Sequence, residues 1–259
     1  MIEQHALIAV AALVASGVTF FSGFGLGTAL LPAFAAFLPT DVAVGMVAIV
    51  HLLNNALKFG LLRGHVDRSV FVRFGIPALI AAPIGALVLR LVSDVSPLAT
   101  YAIGRTRFDV TVVDVVIGVL LVLLGVQALV PLLARLSFPD RYLVPGGFAS
   151  GLLGGLAGLQ GALRSAFLIR SGLDRESFLA TGVAVALVVD IARIATYAAQ
   201  GSLRFGSGAL SLAITGVVAA SVGAVIGNRL LRSVTIEAIR VLVGVLLVIV
   251  AVALGAGLI

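Results

Sequence analysis

Cysteine and tryptophan are absent from this 259-residue chain, lysine occurs once, at Lys58, and histidine three times. Without cysteine there is no disulfide, no thiolate nucleophile and no thiolate metal ligand. Three histidines and 11 acidic residues leave little from which to build a metal centre or an acid–base pair. There is no HExxH or GxSxG pattern and no paired-carboxylate site. Gly23-Phe24-Gly25-Leu26-Gly27 imitates a nucleotide loop only superficially, because no strand pattern precedes it and its surroundings are apolar. The chain is expected to be no enzyme and to need no metal or cofactor. No stretch is long and polar enough for a soluble domain. The first apolar run has no basic segment ahead of it, so no separate signal peptide is expected.

What is present is apolar: 61% of residues are hydrophobic and 11% charged, with mean hydropathy +1.24. That composition predicts an all-α polytopic membrane protein with the bilayer as its main partner. The net charge of +6 would suggest nucleic acid in a soluble chain. Here the arginines sit mostly in short loops beside apolar spans, which orients a membrane protein, and no nucleic-acid partner is expected. The uncharged run 6–38 would measure about 50 Å as one helix, against a hydrocarbon core of roughly 30 Å. It is interrupted by Ser22-Gly23-Phe24-Gly25-Leu26-Gly27-Thr28. The run 142–169 has the same design, interrupted by Gly154-Gly155-Leu156-Ala157-Gly158-Leu159-Gln160-Gly161. Paired broken segments in two halves of a chain point to a transporter site.

The halves look like copies. Residues 45–64 lie over 182–201 without a gap, 83–88 over 221–226, and 118–122 over 244–248. Each unit reads as one broken or re-entrant segment plus three transmembrane helices: 1–138 with its broken segment at 6–38, and 139–259 with its broken segment at 142–172. If both broken segments returned to their own side, Lys58, Arg63, Arg68, Arg73, Arg135, Arg141, Arg170, Arg175, Arg229, Arg232 and Arg240 would lie inside. Only Arg90, Arg105, Arg107 and Arg204 would lie outside, with both termini. Kinked single spans would give no such bias, so the positive-inside rule favours hairpins. A hairpin plus three spans is an odd number of crossings, so the second unit is expected to be inverted. The faces Gly216/Ala220/Gly223/Gly227 and Ala78/Ala82/Gly85 are read as close helix packing. Such faces also make a homodimer conceivable.

Arg164 is the sharpest candidate for chemistry. A charge near membrane depth costs about 2.5–3.5 kcal/mol on insertion scales and normally faces a cavity. A helix restarting after the second glycine break would aim free N–H groups at the same place. Together these would bind an anion, Arg164 through two donors at once, with Gln160, Gly161 and Ser165 beside it. Gly25, Gly27 and Thr28 would act likewise at the first break. His51, Asn54, Asn55 and Lys58 share one helix face; Asn54 and Asn55 are candidate substrate contacts, and Lys58 is expected to snorkel outward. Asp190 and Arg193 form an i,i+3 pair with Tyr197 one turn on. These, with His51 and Lys58, are candidates for gating or coupling, with a proton or another ion as coupling partner.

The order of motifs resembles one family. Gly23-Phe24-Gly25-Leu26-Gly27 and Pro32 are followed by Ala43-Val44-Gly45, then by Arg63-Gly64-His65-Val66-Asp67 and Pro83-Ile84-Gly85-Ala86, and the plan repeats from Gly154. This is similar to the sulfite exporter TauE/SafE permeases along essentially the whole chain. The resemblance implies outward movement of sulfite or organosulfonates such as sulfoacetate across the cytoplasmic membrane. The residues by themselves indicate a small anion without choosing sulfonate over carboxylate. They also leave open a passive anion channel and, less compatibly with two broken segments, a membrane scaffold.

Overall fold

The computed structural model describes residues 2–19, 26–104, 106–201, 206–230 and 236–258. The first half holds α1 (Ile2–Thr19), α2 (Leu26–Ala35) and α3 (Thr40–Leu62). Then α4 (Arg68–Val70) runs through a π-helical turn, Phe71–Gly75, into α5 (Ile76–Ser93). Asp67 starts this rod by accepting from the Val70 amide at 2.8 Å. Pro77 cannot donate to the Arg73 carbonyl, and the backbone widens into a π turn just before it. A hairpin of β1 (Ala99–Ile103) and β2 (Thr106–Val110) precedes α6 (Val112–Leu129), and α7 (Pro131–Ala134) is a short appendix. The second half holds α8 (Leu143–Ala157), α9 (Gly161–Leu168), α10 (Arg175–Ala199), α11 (Ser207–Leu230) and α12 (Ile236–Gly255).

Among the described residues five helices are long and apolar enough to cross a membrane: Thr40–His65, Arg68–Ser93, Val112–Leu129, Arg175–Ala199 and Gly208–Gly227. Large apolar side chains such as Val10, Ile80, Leu91, Leu123 and Ile249 are exposed, as lipid-facing surfaces require. The chain is an all-α polytopic membrane protein apart from the hairpin, which falls where an irregular loop was expected. Tyr101 and Phe108 pair across its strands with ring centroids 5.4 Å apart, and Gly104 takes the turn at φ +63°.

Packing between the halves is reciprocal. α1 lies on α11 while α8 lies on α5, α3 contacts α11 while α10 contacts α5, and α3–α10 and α6–α12 pair directly. The approaches are backbone to backbone. Side chains at Gly147, Gly151 and Gly155 would collide with the carbonyls of Phe74, Ala78 and Ala82, and one at Gly85 with Leu152. On the other side Gly223 abuts the Leu13 carbonyl and Gly227 the Gly17 carbonyl. Small residues permit this where lipid supplies no hydrophobic drive between helices. The stripes on α5 and α11 are thus consumed within the chain, which removes them as an argument for a homodimer.

The second broken segment turns back on itself. The Phe138 amide, ahead of α8, donates to the Ala166 carbonyl near the end of α9 at 3.1 Å. The rings of Phe138 and Phe167 stack at 4.4 Å, and Gly146 leaves room for Phe167. The end of α9 therefore lies beside the start of α8. In the first half Ile8 and Phe34, from α1 and α2, both reach Gly216.

Candidate functional site

The second break is placed by backbone chemistry. α8 continues through Gly154 and Gly155, the first residues of the expected interruption 154–161, and stops inside that interruption at Gly158 with φ +74°. Gly158 N–H bonds the Gly154 carbonyl, the single bond of an αL cap, and Leu159 N–H reaches back to the Leu153 carbonyl at 3.4 Å. Gly154 and Gly155 serve packing instead, against Val189 and the Ala82 carbonyl. After Leu159 and Gln160 the chain restarts as α9.

The two halves touch at this break. A methyl group on Gly27, in the first turn of α2, would lie 3.1 Å from the Gly158 carbonyl oxygen and 3.8 Å from the His51 ring. α3 and α10 close over the junction with their polar faces together. Asp190 is fully buried; its Oδ1 accepts from Arg193 Nε at 3.0 Å and faces Nη2 at 2.8 Å. Its Oδ2 accepts from His51 Nδ1 at 2.6 Å and from Asn55 Nδ2 at 3.2 Å. The Arg193 guanidinium reaches the break itself, 2.6 Å from where a Gly158 side chain would begin. Tyr197 donates its hydroxyl to the Gly155 carbonyl. Asn54 Oδ1 accepts from Ser16 of α1 at 3.1 Å.

The remaining cations join this cluster. Arg164 is buried on α9, its Nε lying 3.4 Å from where a side chain on Gly182 of α10 would begin. It interacts electrostatically with Asp190 and with Lys58. Lys58 is buried, contrary to the expected snorkelling: at i+7 from His51 it points with the polar face into the protein, not along the helix end. Among the described residues the buried charges here are thus Lys58, Arg164 and Arg193 against Asp190. The other buried carboxylate, Asp114, is engaged at the start of α6 by Thr40 and Thr111. Gln160 is wholly buried, and neither carboxamide atom has a hydrogen-bond partner; Asn54 Nδ2 is likewise unmatched. Leaving such atoms dry costs about 1–3 kcal/mol each.

The sulfite exporter TauE/SafE family model matches residues 8–254. The chain belongs to the sulfite exporter TauE/SafE family. No curated protein matched it significantly. Members of the family are membrane transporters of sulfite or related anions, so this chain is a transporter and not an enzyme.

Within this TauE/SafE chain Arg164, Gln160, Asn54, Asn55, His51, Lys58, Asp190, Arg193 and Tyr197 come together. Gly161 and Ser165 are half-buried at the start of α9. Gly27 is at the junction; Gly25 and the side chain of Thr28 lie outside the described residues. Sequence reasoning missed Ser16, Ser150, which bonds the Gln160 carbonyl at 3.3 Å, and the role of Gly155 as acceptor for Tyr197. A serine in an apolar helix carries no local sign of its partner. A cavity of about 320 Å³ opens between α3, α5 and α10, lined by Asp41, Gly45, Leu89, Arg90 and Gln200, and Tyr197 also lines it.

Proposed function

We propose that this protein is a secondary carrier that exports a small sulfur-containing anion, sulfite or an organosulfonate such as sulfoacetate, across the cytoplasmic membrane by alternating access. Residues 1–138 and 139–259 are two inverted repeats, a reading supported by the duplicated segments and the reciprocal helix pairing. The anion sits between the two broken segments, held by Arg164, Gln160 and the backbone around Gly161–Ser165 on one side and by the backbone around Gly25–Thr28 on the other. Asn54 and Asn55 line the site, and Asp190, Arg193, His51, Tyr197 and Lys58 gate or couple it.

The observation that carries this reading is a buried polar cluster at a helix break. Lys58, Arg164, Arg193 and Asp190 lie buried there, beside the wholly buried Gln160, whose carboxamide atoms have no hydrogen-bond partner. A buried polar group without a partner is costly, and an oxyanion accepting from the Gln160 amide would supply one. Tyr197 between the cavity and this cluster favours a carrier over an open pore. Purified protein in liposomes should give saturable sulfite or sulfonate flux. Arg164→Ala should abolish it while leaving the protein folded; normal flux in that variant removes Arg164 from the site. Currents far above carrier turnover would instead indicate a channel.

A further inference from the structure

The His51–Asp190 contact carries a second ligand. Both oxygens of Asp190 are occupied by donors, Arg193 on one, His51 and Asn55 on the other. A carboxylate in that donor set is ionised and has no place for a proton. Asn55 Nδ2 also lies 3.0 Å from His51 Nδ1; against an ionised Asp190 the neutral ring carries its proton on Nδ1, which leaves the lone pair on Nε2. The His51 side chain retains 11% exposure while Asp190 has 0%, so the ring is the accessible member of the pair. Its Cδ2 lies 3.8 Å from where a side chain on Gly27 would begin, and Gly27 abuts the Gly158 carbonyl at the second break.

We infer that His51 Nε2 is a proton-binding site, and that the protein carries one proton together with each anion. Uptake is simple: the Nε2 lone pair takes a proton from water on one side, giving an imidazolium held by Asp190, and releases it on the other. The inference rests on the anion reading above. The groups around His51 define the coupling. Asp190 on α10 favours the imidazolium. Arg193 on α10, Lys58 on its own helix and Arg164 on α9 oppose it, Tyr197 is neutral, and Gly27 of α2 lies against the ring. An anion bound beside this cluster favours the imidazolium through its negative charge, as Asp190 does. By linkage the proton strengthens anion binding by the same factor. With a monoanion the loaded carrier moves no net charge, and the exported species is in effect the acid.

Calorimetry of sulfite binding, run in two buffers of different ionisation enthalpy, reports protons taken up per anion. His51→Asn keeps a donor for Asp190 and cannot titrate. Sulfite's own titration is common to both proteins, so the difference belongs to His51. The wild type should take up more protons per anion than His51→Asn; equal uptake overturns the proposal. Should His51→Asn fail to fold, wild-type proteoliposomes decide. An imposed pH gradient, with sulfite equal on both sides, should drive sulfite accumulation on the alkaline side beyond that in protein-free vesicles. Saturable sulfite flux that ignores the gradient overturns the proton site and leaves the anion reading standing. Absence of any saturable sulfite binding or flux overturns both.

Discussion

α3 and α10 occupy equivalent places in the two halves and lie against each other, yet their polar residues do not correspond. In the ungapped match of 45–64 with 182–201, His51 falls on Val188, Asn55 on Ala192 and Lys58 on Ala195. Asp190 falls on Leu53, Arg193 on Ala56 and Tyr197 on Gly60. The broken segments differ in the same way: α9 carries Arg164, and α2 carries no charge. Packing constraints act equally on both copies, so glycine and alanine stripes recur. Chemistry needs each group only once. A histidine on one helix and an aspartate on the other, 139 positions apart, make one pair.

That contrast can be broken most forcefully at Asp190. Asp190→Ala strands Arg193 and His51 and should cost about 3–5 kcal/mol, read by unfolding in detergent. Leu53→Ala, at the matching place but on the exposed side of α3, should change stability by less than about 0.5 kcal/mol. Equal losses would mean that the asymmetry has no energetic content.

The shared scaffold is tested next. Gly155→Val forces a side chain into the Ala82 carbonyl and Gly223→Val into that of Leu13. Each should lower stability by about 1–3 kcal/mol or more. A Gly223→Val protein as stable as wild type would show that the two interfaces are not equivalent.

Smaller effects separate the two sides of the site. Removing a charged donor costs about 1.5–3 kcal/mol, so Arg164→Ala should weaken anion binding about 10–100-fold. Gln160→Ala, losing a neutral donor, should weaken it by about 10-fold or less. Thermal-shift titration with sulfite distinguishes them, since ligand binding raises stability by mass action. The smallest effect belongs to the helix starts. α10 is capped by Asp174, whose carboxyl the Ser177 amide holds below the usual aspartate range, whereas α3 starts at Pro39 without a side-chain cap. A depressed carboxyl stabilises only while ionised. The cap is complete above the ordinary value of 3.8 and is lost as pH falls below it, an effect Asp174→Ala should abolish in the acid arm of an unfolding curve.

Much of this was legible along the chain. The long runs, the second glycine-rich interruption, the small-residue stripes and the burial of Arg164 all follow from composition and spacing; the first interruption lies largely outside the described residues. Three features were not. Within the expected interruption 154–161 the exact stop at Gly158 was not readable, because several glycines permit a break and only the cap bonds to Leu153 and Gly154 select one. The hairpin at 99–110 carries a weak two-residue alternation beside a strongly apolar neighbour. Lys58 turned inward because the direction of a helix face depends on which helix covers it.

By itself the sequence determined that this protein lives in a bilayer, that its second apolar run is interrupted within 154–161, and which faces let helices approach. These are properties of single segments, set by partition between water and lipid and by the backbone freedom of glycine. Only the tertiary structure decided that Gly27 meets Gly158, that His51 and Asn55 share a carboxylate with Arg193, and that Tyr197 ends on Gly155. Those pairings depend on the register between helices distant in the chain. That register is set by how whole surfaces interlock, which no local pattern encodes.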